Sequence, residues 1–244
     1  MDNISPVGDK AIRVGFGTII SKKINRRVRQ FCRLLQQNKI TGLYEWVPSY
    51  TAVTIYYDSV MISYENIKDQ LALLYMETLE ELTPIESRVL FIPTCYDERF
   101  GYDLHTIREF HEITTEDIIH FHCDPYYLIY MLGFNPGFPY LGGMRREIAT
   151  PRLANPRSLV EAGSVGIAGE QTGIYPINSP GGWQIIGRTP IKIFDIRREP
   201  PVIFEAGDFI KFYSISYDEF LQLEREIAEN TYEVKVALYK DDEA

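Results

Sequence analysis

Cysteine is scarce in this 244-residue chain: Cys32, Cys95 and Cys123 stand far apart and are odd in number. Such a set gives no disulfide framework and no paired CxxC metal ligands. Long apolar runs are also lacking. None approaches the roughly 20 residues that cross a bilayer. The start, Met1-Asp2-Asn3-Ile4-Ser5-Pro6, has no basic and then apolar region of the signal-peptide kind, so a cytoplasmic location is expected. Positive charge is in deficit, with 25 Lys and Arg against 34 Asp and Glu and a formal net charge of −9. That argues against broad nucleic-acid binding, which needs a basic footprint, and against docking on an anionic membrane. The GxxxxGK[ST] phosphate loop and the GxSxG nucleophile elbow are missing. Residues 163–173 are glycine-rich but have neither that lysine nor the spacing of a dinucleotide fingerprint.

What is present is ordinary globular material. At 45% hydrophobic and 24% charged, the chain can build one large domain or two small ones. Residues 11–16 alternate as a strand, Ile12, Val14 and Phe16 on one side. Ser21 then caps a helix with the apolar stripe Ile24, Val28, Phe31 and Leu35. Its other face, Lys22, Lys23, Arg26, Arg27, Arg29 and Arg33, reads as a solvated surface or as a docking face for an acidic partner. Strands at 44–47 and 52–57 follow. A second helix opens at Ser63 or Tyr64, turns Ile67, Leu71, Leu74 and Leu79 inward, and ends at Thr83-Pro84. Residues 1–85 thus read as a small α+β domain of βαββα order.

From residue 86 to 244 the pattern changes. A strand at 88–93 and two short helices, 103–111 and 115–122, lead to a buried strand at 126–132. Short strands then come at close spacing, at 165–168, 183–187, 191–194, 202–204 and 209–213, which suggests a closed or nearly closed β-barrel. Ser216-Tyr217-Asp218-Glu219 is a capping box for a last helix. Tyr232, Val234, Val236 and Leu238 alternate as a final strand or a tail.

The stretch Gly133-Phe134-Asn135-Pro136-Gly137-Phe138-Pro139-Tyr140-Leu141-Gly142-Gly143 has the wrong chemistry for a helix or a central strand. Asn135-Pro136-Gly137-Phe138 predicts a type II turn, with Phe134, Phe138 and Tyr140 displayed around it. Asn178-Ser179-Pro180-Gly181-Gly182-Trp183 predicts a second Pro-Gly turn followed by an aromatic. Either these are tight connections capped by core aromatics, or the two loops wall a site. Between them, Arg152 and Arg157 are held extended by neighbouring prolines. They are candidates to grip a carboxylate or phosphate bidentately, or are simply surface arginines. Gln171, Thr172, Tyr175 and Pro176 would add neutral polar contacts. His120 and His122 form an HxH pair at a helix end with no second ligand group in view, so no metal is expected. His122 stands as a candidate acid, base or donor.

Taken in order, residues 133–143, Pro151-Arg152, Ala162-Gly163-Ser164-Val165-Gly166-Ile167-Ala168-Gly169, Gln171-Thr172-Gly173 and Ser179-Pro180-Gly181-Gly182-Trp183 closely resemble the KipI family. This family also goes by the names of the 5-oxoprolinase B subunit and of allophanate hydrolase subunit 1. The resemblance spans nearly the whole chain. It implies a cyclophilin-like β-barrel for the larger domain and work in complex with the C and A subunits of 5-oxoprolinase. Together these open 5-oxoproline to glutamate with ATP, the chain itself being inactive alone. From the residues themselves, not from the resemblance, Arg157, His122 and Gln171 are the expected catalytic groups. Phe134, Pro136, Phe138, Tyr140, Arg152, Thr172, Tyr175, Pro180 and Trp183 are the expected substrate contacts. The same resemblance leaves two alternatives: an inhibitor of a sensor histidine kinase, or a component of a urea-processing enzyme. No Met-Lys-Met biotin-attachment site is present.

Overall fold

The computed structural model describes residues 3–80 and 86–239, less the Glu80 side chain. The chain divides into two compact units, Met1–Glu86 and Ser87–Ala244.

The first unit runs β1 (Ile4–Val7), β2 (Ala11–Gly15), α1 (Lys22–Gln37), β3 (Leu43–Pro48), β4 (Ala52–Tyr57) and α2 (Tyr64–Glu80). Its antiparallel sheet has the order β1-β2-β4-β3. Strand β1 is an addition to the expected βαββα order. Its Pro6 sits on an edge strand, where a missing N–H breaks no inner ladder bond. The Ser21 hydroxyl accepts the Ile24 N–H at 3.3 Å and starts α1. Val28, Phe31, Leu34 and Leu35 of α1 then pack with Ile12, Val14, Val53, Ile55, Ile67 and Leu71. Leu79 does not join them and is 38% exposed. The inward stripe of α2 passes through Tyr75 and Thr78 instead. The expected stop at Thr83-Pro84 lies outside the described residues.

The second unit contains β5 (Ser87–Cys95), α3 (Leu104–His111), α4 (Thr115–Cys123), β6 (Tyr127–Leu132), β7 (Pro139–Gly142), β8 (Arg157–Val160), β9 (Ser164–Ala168), β10 (Gln171–Ile174), β11 (Ser179–Gly181), β12 (Gln184–Arg188), β13 (Phe209–Ile215), α5 (Tyr217–Ala228) and β14 (Val236–Tyr239). Seven strands pair in the ring β12-β9-β10-β7-β6-β13-β5, closed by a β12–β5 pairing. This is the expected barrel. Strand β5 is long enough to serve three neighbours. It runs parallel to β13 along most of its length, takes β14 over Ser87–Leu90, and meets β12 at Cys95. Leu90, Ile92, Ile129, Leu141, Val165, Ile167, Ile174, Ile186, Ile210 and Phe212 fill the interior. Thr114 and Ser216 both form capping boxes, with Asp117 and Glu219, and fix the starts of α4 and α5.

The fold corrects three expectations. Residues 139–142 are a ring strand, β7, between β10 and β6, although glycine and proline flank them. Pro139 is tolerated because it is the first residue of the strand. Ser179–Gly181 is not a turn but a short strand bulged against β8. Residues 191–194 and 202–204 form no ladder and share a single bridge, Phe194 to Val202. Pro190, Pro200 and Pro201 supply no N–H there.

Candidate active site

The Asn135–Phe138 turn forms as its residues dictate. The Phe138 N–H donates to the Asn135 carbonyl at 3.0 Å, and Gly137 adopts φ +83°, as a type II turn requires. A tighter loop precedes it, with Asn135 N–H donating to Gly133 O at 2.8 Å. The residue it encloses, Phe134, has φ +64°, a left-handed conformation unfavourable for a bulky side chain. Phe134 is 64% exposed, and Pro136 is exposed beside it.

Phe138 is not displayed. It is 2% exposed, at the centre of a cluster with Val160, Ala168, Tyr175, Trp183 and Ile185, with Tyr140 packed alongside. Its ring meets Trp183 edge-on at 5.3 Å, Tyr175 edge-on at 5.4 Å and Phe134 edge-on at 5.6 Å. Such T-shaped pairs add about 0.5–1.5 kcal/mol each beyond area burial. Phe138, Tyr175 and Trp183 therefore form the packed backing of the region. Among the loop aromatics and prolines singled out from the sequence, Phe134, Pro136, Tyr140 and Pro180 keep surface in contact with solvent. Gly181 is needed here: a Cβ at that position would lie 2.2 Å from the Tyr175 hydroxyl. Burial pushes that hydroxyl up to about 12, while the hydrogen-bonded Trp183 backbone N–H works in the opposite direction.

Both arginines come to Trp183. Arg157, opening β8, donates Nη1 to the Trp183 carbonyl at 3.3 Å and Nη2 to Asp103 Oδ1 at 2.5 Å. Its guanidinium lies 4.9 Å from the Tyr102 ring centre. Asp103, just before α3, is buried. Its Oδ2 accepts the Ile185 N–H at 2.6 Å, and its own N–H donates to Ile185 O at 3.0 Å. Arg157 is thus clamped by an internal carboxylate. Arg152 is exposed, its guanidinium 5.8 Å from the Trp183 ring centre. Of the pair, Arg152 is the one open to an incoming anion.

Sequence reasoning missed Asp103 and Gln184. Nothing local marks Asp103 as the partner of a residue 54 positions away. Gln184 is 4% exposed. Its Nε2 donates to the Pro151 carbonyl at 3.0 Å, while its Oε1 has no partner among the described residues. The buried Ser179 Oγ and Asn135 Nδ2 are likewise unpaired among them. Unsatisfied buried polar atoms are rare and mark places with a further role.

His122 and Thr172 lie apart from this cluster, inside the barrel with no exposed surface. Tyr96 Oη is 2.7 Å from His122 Nδ1, and Thr172 Oγ1 is 2.9 Å from Nε2. Thr172 spends its one hydroxyl proton on Gly166 O at 3.0 Å. Nε2 must then carry the imidazole proton, and Nδ1 accepts from Tyr96. Burial holds His122 down to about 3, so the ring is neutral and fully occupied. His120 is exposed on α4, so the HxH pair does not converge. Gln171 is half-buried at the start of β10, opposite Ala168.

Residues 2–204 match the family described as carboxyltransferase domain, subdomain C and D. The chain is 37% identical over 227 residues to the B subunit of 5-oxoprolinase from Bacillus subtilis (strain 168), covering 89% of this chain and 94% of that one. It is 39% identical over 210 residues to the B subunit of 5-oxoprolinase from Haemophilus influenzae, covering 86% and 96%. The solved structure of Kluyveromyces lactis urea carboxylase aligns with a TM-score of 0.78 at 19% identity, over 97% of this chain and 24% of that one, a likeness of fold. No helix among the described residues is long and apolar enough to cross a membrane. With a matched stretch this long and relatives this similar along nearly their whole length, the chain belongs to the carboxyltransferase-domain subdomain C and D family, the family of the 5-oxoprolinase B subunit.

Proposed function

We propose that this chain is the B subunit of a cytoplasmic, ATP-dependent 5-oxoprolinase. In this reading it acts with the C and A subunits to open the lactam of 5-oxoproline to glutamate. The observation that carries the reading is the near full-length identity to the 5-oxoprolinase B subunits of two organisms. A lactam opens when water adds to its carbonyl carbon and the C–N bond breaks, the nitrogen taking a proton and leaving as the amine. Transfer of a phosphoryl group to the carbonyl oxygen makes that carbon more electrophilic, and preorganised donors hold the developing charge. ATP supplies that activation within the assembly. This chain's part is to bind and orient. Arg152, open to solvent over Trp183, takes the substrate carboxylate or a phosphoryl oxygen. Arg157, fixed by Asp103, positions the Trp183–Gln184 segment. The unpaired Gln184 Oε1 is an acceptor suited to a lactam N–H. His122 holds the barrel behind this surface and takes no proton from substrate, because both its nitrogens are engaged.

The test is to copurify the chain with candidate C and A subunits and follow ATP-dependent loss of 5-oxoproline. The expected result is turnover by the mixture and none by the chain alone. An inactive mixture, together with block of a sensor histidine kinase's autophosphorylation, would replace this reading with the inhibitor.

A further inference from the structure

A cavity of about 930 Å³ lies in the second unit, between the segment that follows β12 and the end of α5. Its lining shares no residue with the Trp183 cluster, although Pro176 directly follows Tyr175 of that cluster. Four cations line it, Arg188, Lys192, Arg197 and Arg198, against two carboxylates, Asp195 and Glu224. This local excess of positive charge stands out on a chain of net charge −9.

Arg188 and Arg198 are held by the fold, while Lys192 and Arg197 reach into solvent. Arg198 donates to the main-chain carbonyls of Lys192, Ile193, Pro200 and Pro201 at 2.7–3.2 Å. No carboxylate among the described residues takes up its charge. One carboxylate, Asp195, is shared by Lys192 at 2.7 Å and Arg197 at 3.0 Å, so that trio keeps a positive charge. Arg188 is paired from outside the lining by Glu161 at 2.6 Å. Ile191, Phe220 and Ile227 give the cavity an apolar side. The volume is at the upper end of small-ligand sites. A lone carboxylate would leave most of it empty. Guanidinium and ammonium groups beside an apolar wall suit a phosphate attached to a larger body.

We propose that this cavity is a binding site for a phosphorylated small molecule of nucleotide size, separate from the Trp183 cluster. The site does not depend on the 5-oxoproline reaction. A chain that binds here but fails in the assembled assay keeps the site and loses the proposed function.

Calorimetric titration of the full chain with ATP, ADP, inorganic phosphate and adenosine tests the proposal. Saturable binding of ATP and ADP is expected, with weaker binding of phosphate and none of adenosine. The variant carrying both Lys192→Gln and Arg197→Gln changes two exposed side chains and should weaken ATP binding at least tenfold. Arg146→Gln, at an exposed cation outside the cavity that pairs with Glu170, should leave it within twofold. The proposal is overturned by no binding of any phosphate compound, by adenosine binding as well as ATP, by full binding in the double variant, or by loss in Arg146→Gln.

Discussion

Two polar clusters in the same barrel unit invite comparison. Inside the ring, Tyr96, His122, Thr172 and Gly166 O form a closed relay, every donor matched to an acceptor and no surface exposed at His122 or Thr172. At the start of β12, Arg152, Arg157, Gln184 and Trp183 form an open one, with a solvent-facing guanidinium and an unpaired buried oxygen. Histidine is the residue more often tied to chemistry, yet here it belongs to the closed cluster. What separates structure from candidate function is the remaining capacity to bind, which residue type alone does not reveal.

Asp103→Ala should have the largest effect, because it turns the clamp of the open cluster into an unpaired charge. It also strips the Ile185 N–H of its acceptor. Urea unfolding should show a loss of about 3–5 kcal/mol. A loss under about 1 kcal/mol would mean that Arg157 is positioned by something else.

The closed cluster should reveal itself through pH. The unfolded His122 takes up a proton near its ordinary 6.5, whereas the folded ring does so only near about 3. Between those values the unfolded state binds more protons, so stability falls as pH drops below 6.5. The slope from this group approaches about 1.4 kcal/mol per pH unit. His122→Gln should lower stability at neutral pH by about 1–3 kcal/mol and flatten that slope. An unchanged slope would remove His122 as its source.

Arg152→Ala should act in the opposite sense to the relay variants. Stability should stay within about 0.5 kcal/mol, while turnover of the assembled complex falls tenfold or more. Full activity would reduce the open cluster to a surface arginine on a packed tryptophan. The smallest effect is expected at Phe134. Phe134→Gly relieves the positive φ and should raise stability by about 0.5–1 kcal/mol, read as a small rise in Tm. A clear loss would show that the exposed ring contributes more through Phe138 than the backbone loses.

Much of this was legible because it is local. Asn135-Pro136-Gly137-Phe138 carries its own turn code, and Ser21, Thr114 and Ser216 carry their own caps. Pro139–Gly142 was misread because flanking glycine and proline outweigh two apolar residues in any local rule. Only the neighbours β6 and β10 make it a strand. The Ser179-Pro180-Gly181 bulge was hidden in the same way.

The sequence alone determined the helix starts, the type II turn, the presence of a short-stranded barrel and the family. These rest on φ preferences, side-chain caps, hydrophobic periodicity and motif order within a few residues. Tertiary structure alone decided which polar residues were used up. Asp103 met Arg157, and His122 met Tyr96 and Thr172, across 54, 26 and 50 residues. Hydrogen-bond capacity is spent on whatever the folded chain brings within about 3 Å, and no local pattern encodes that encounter.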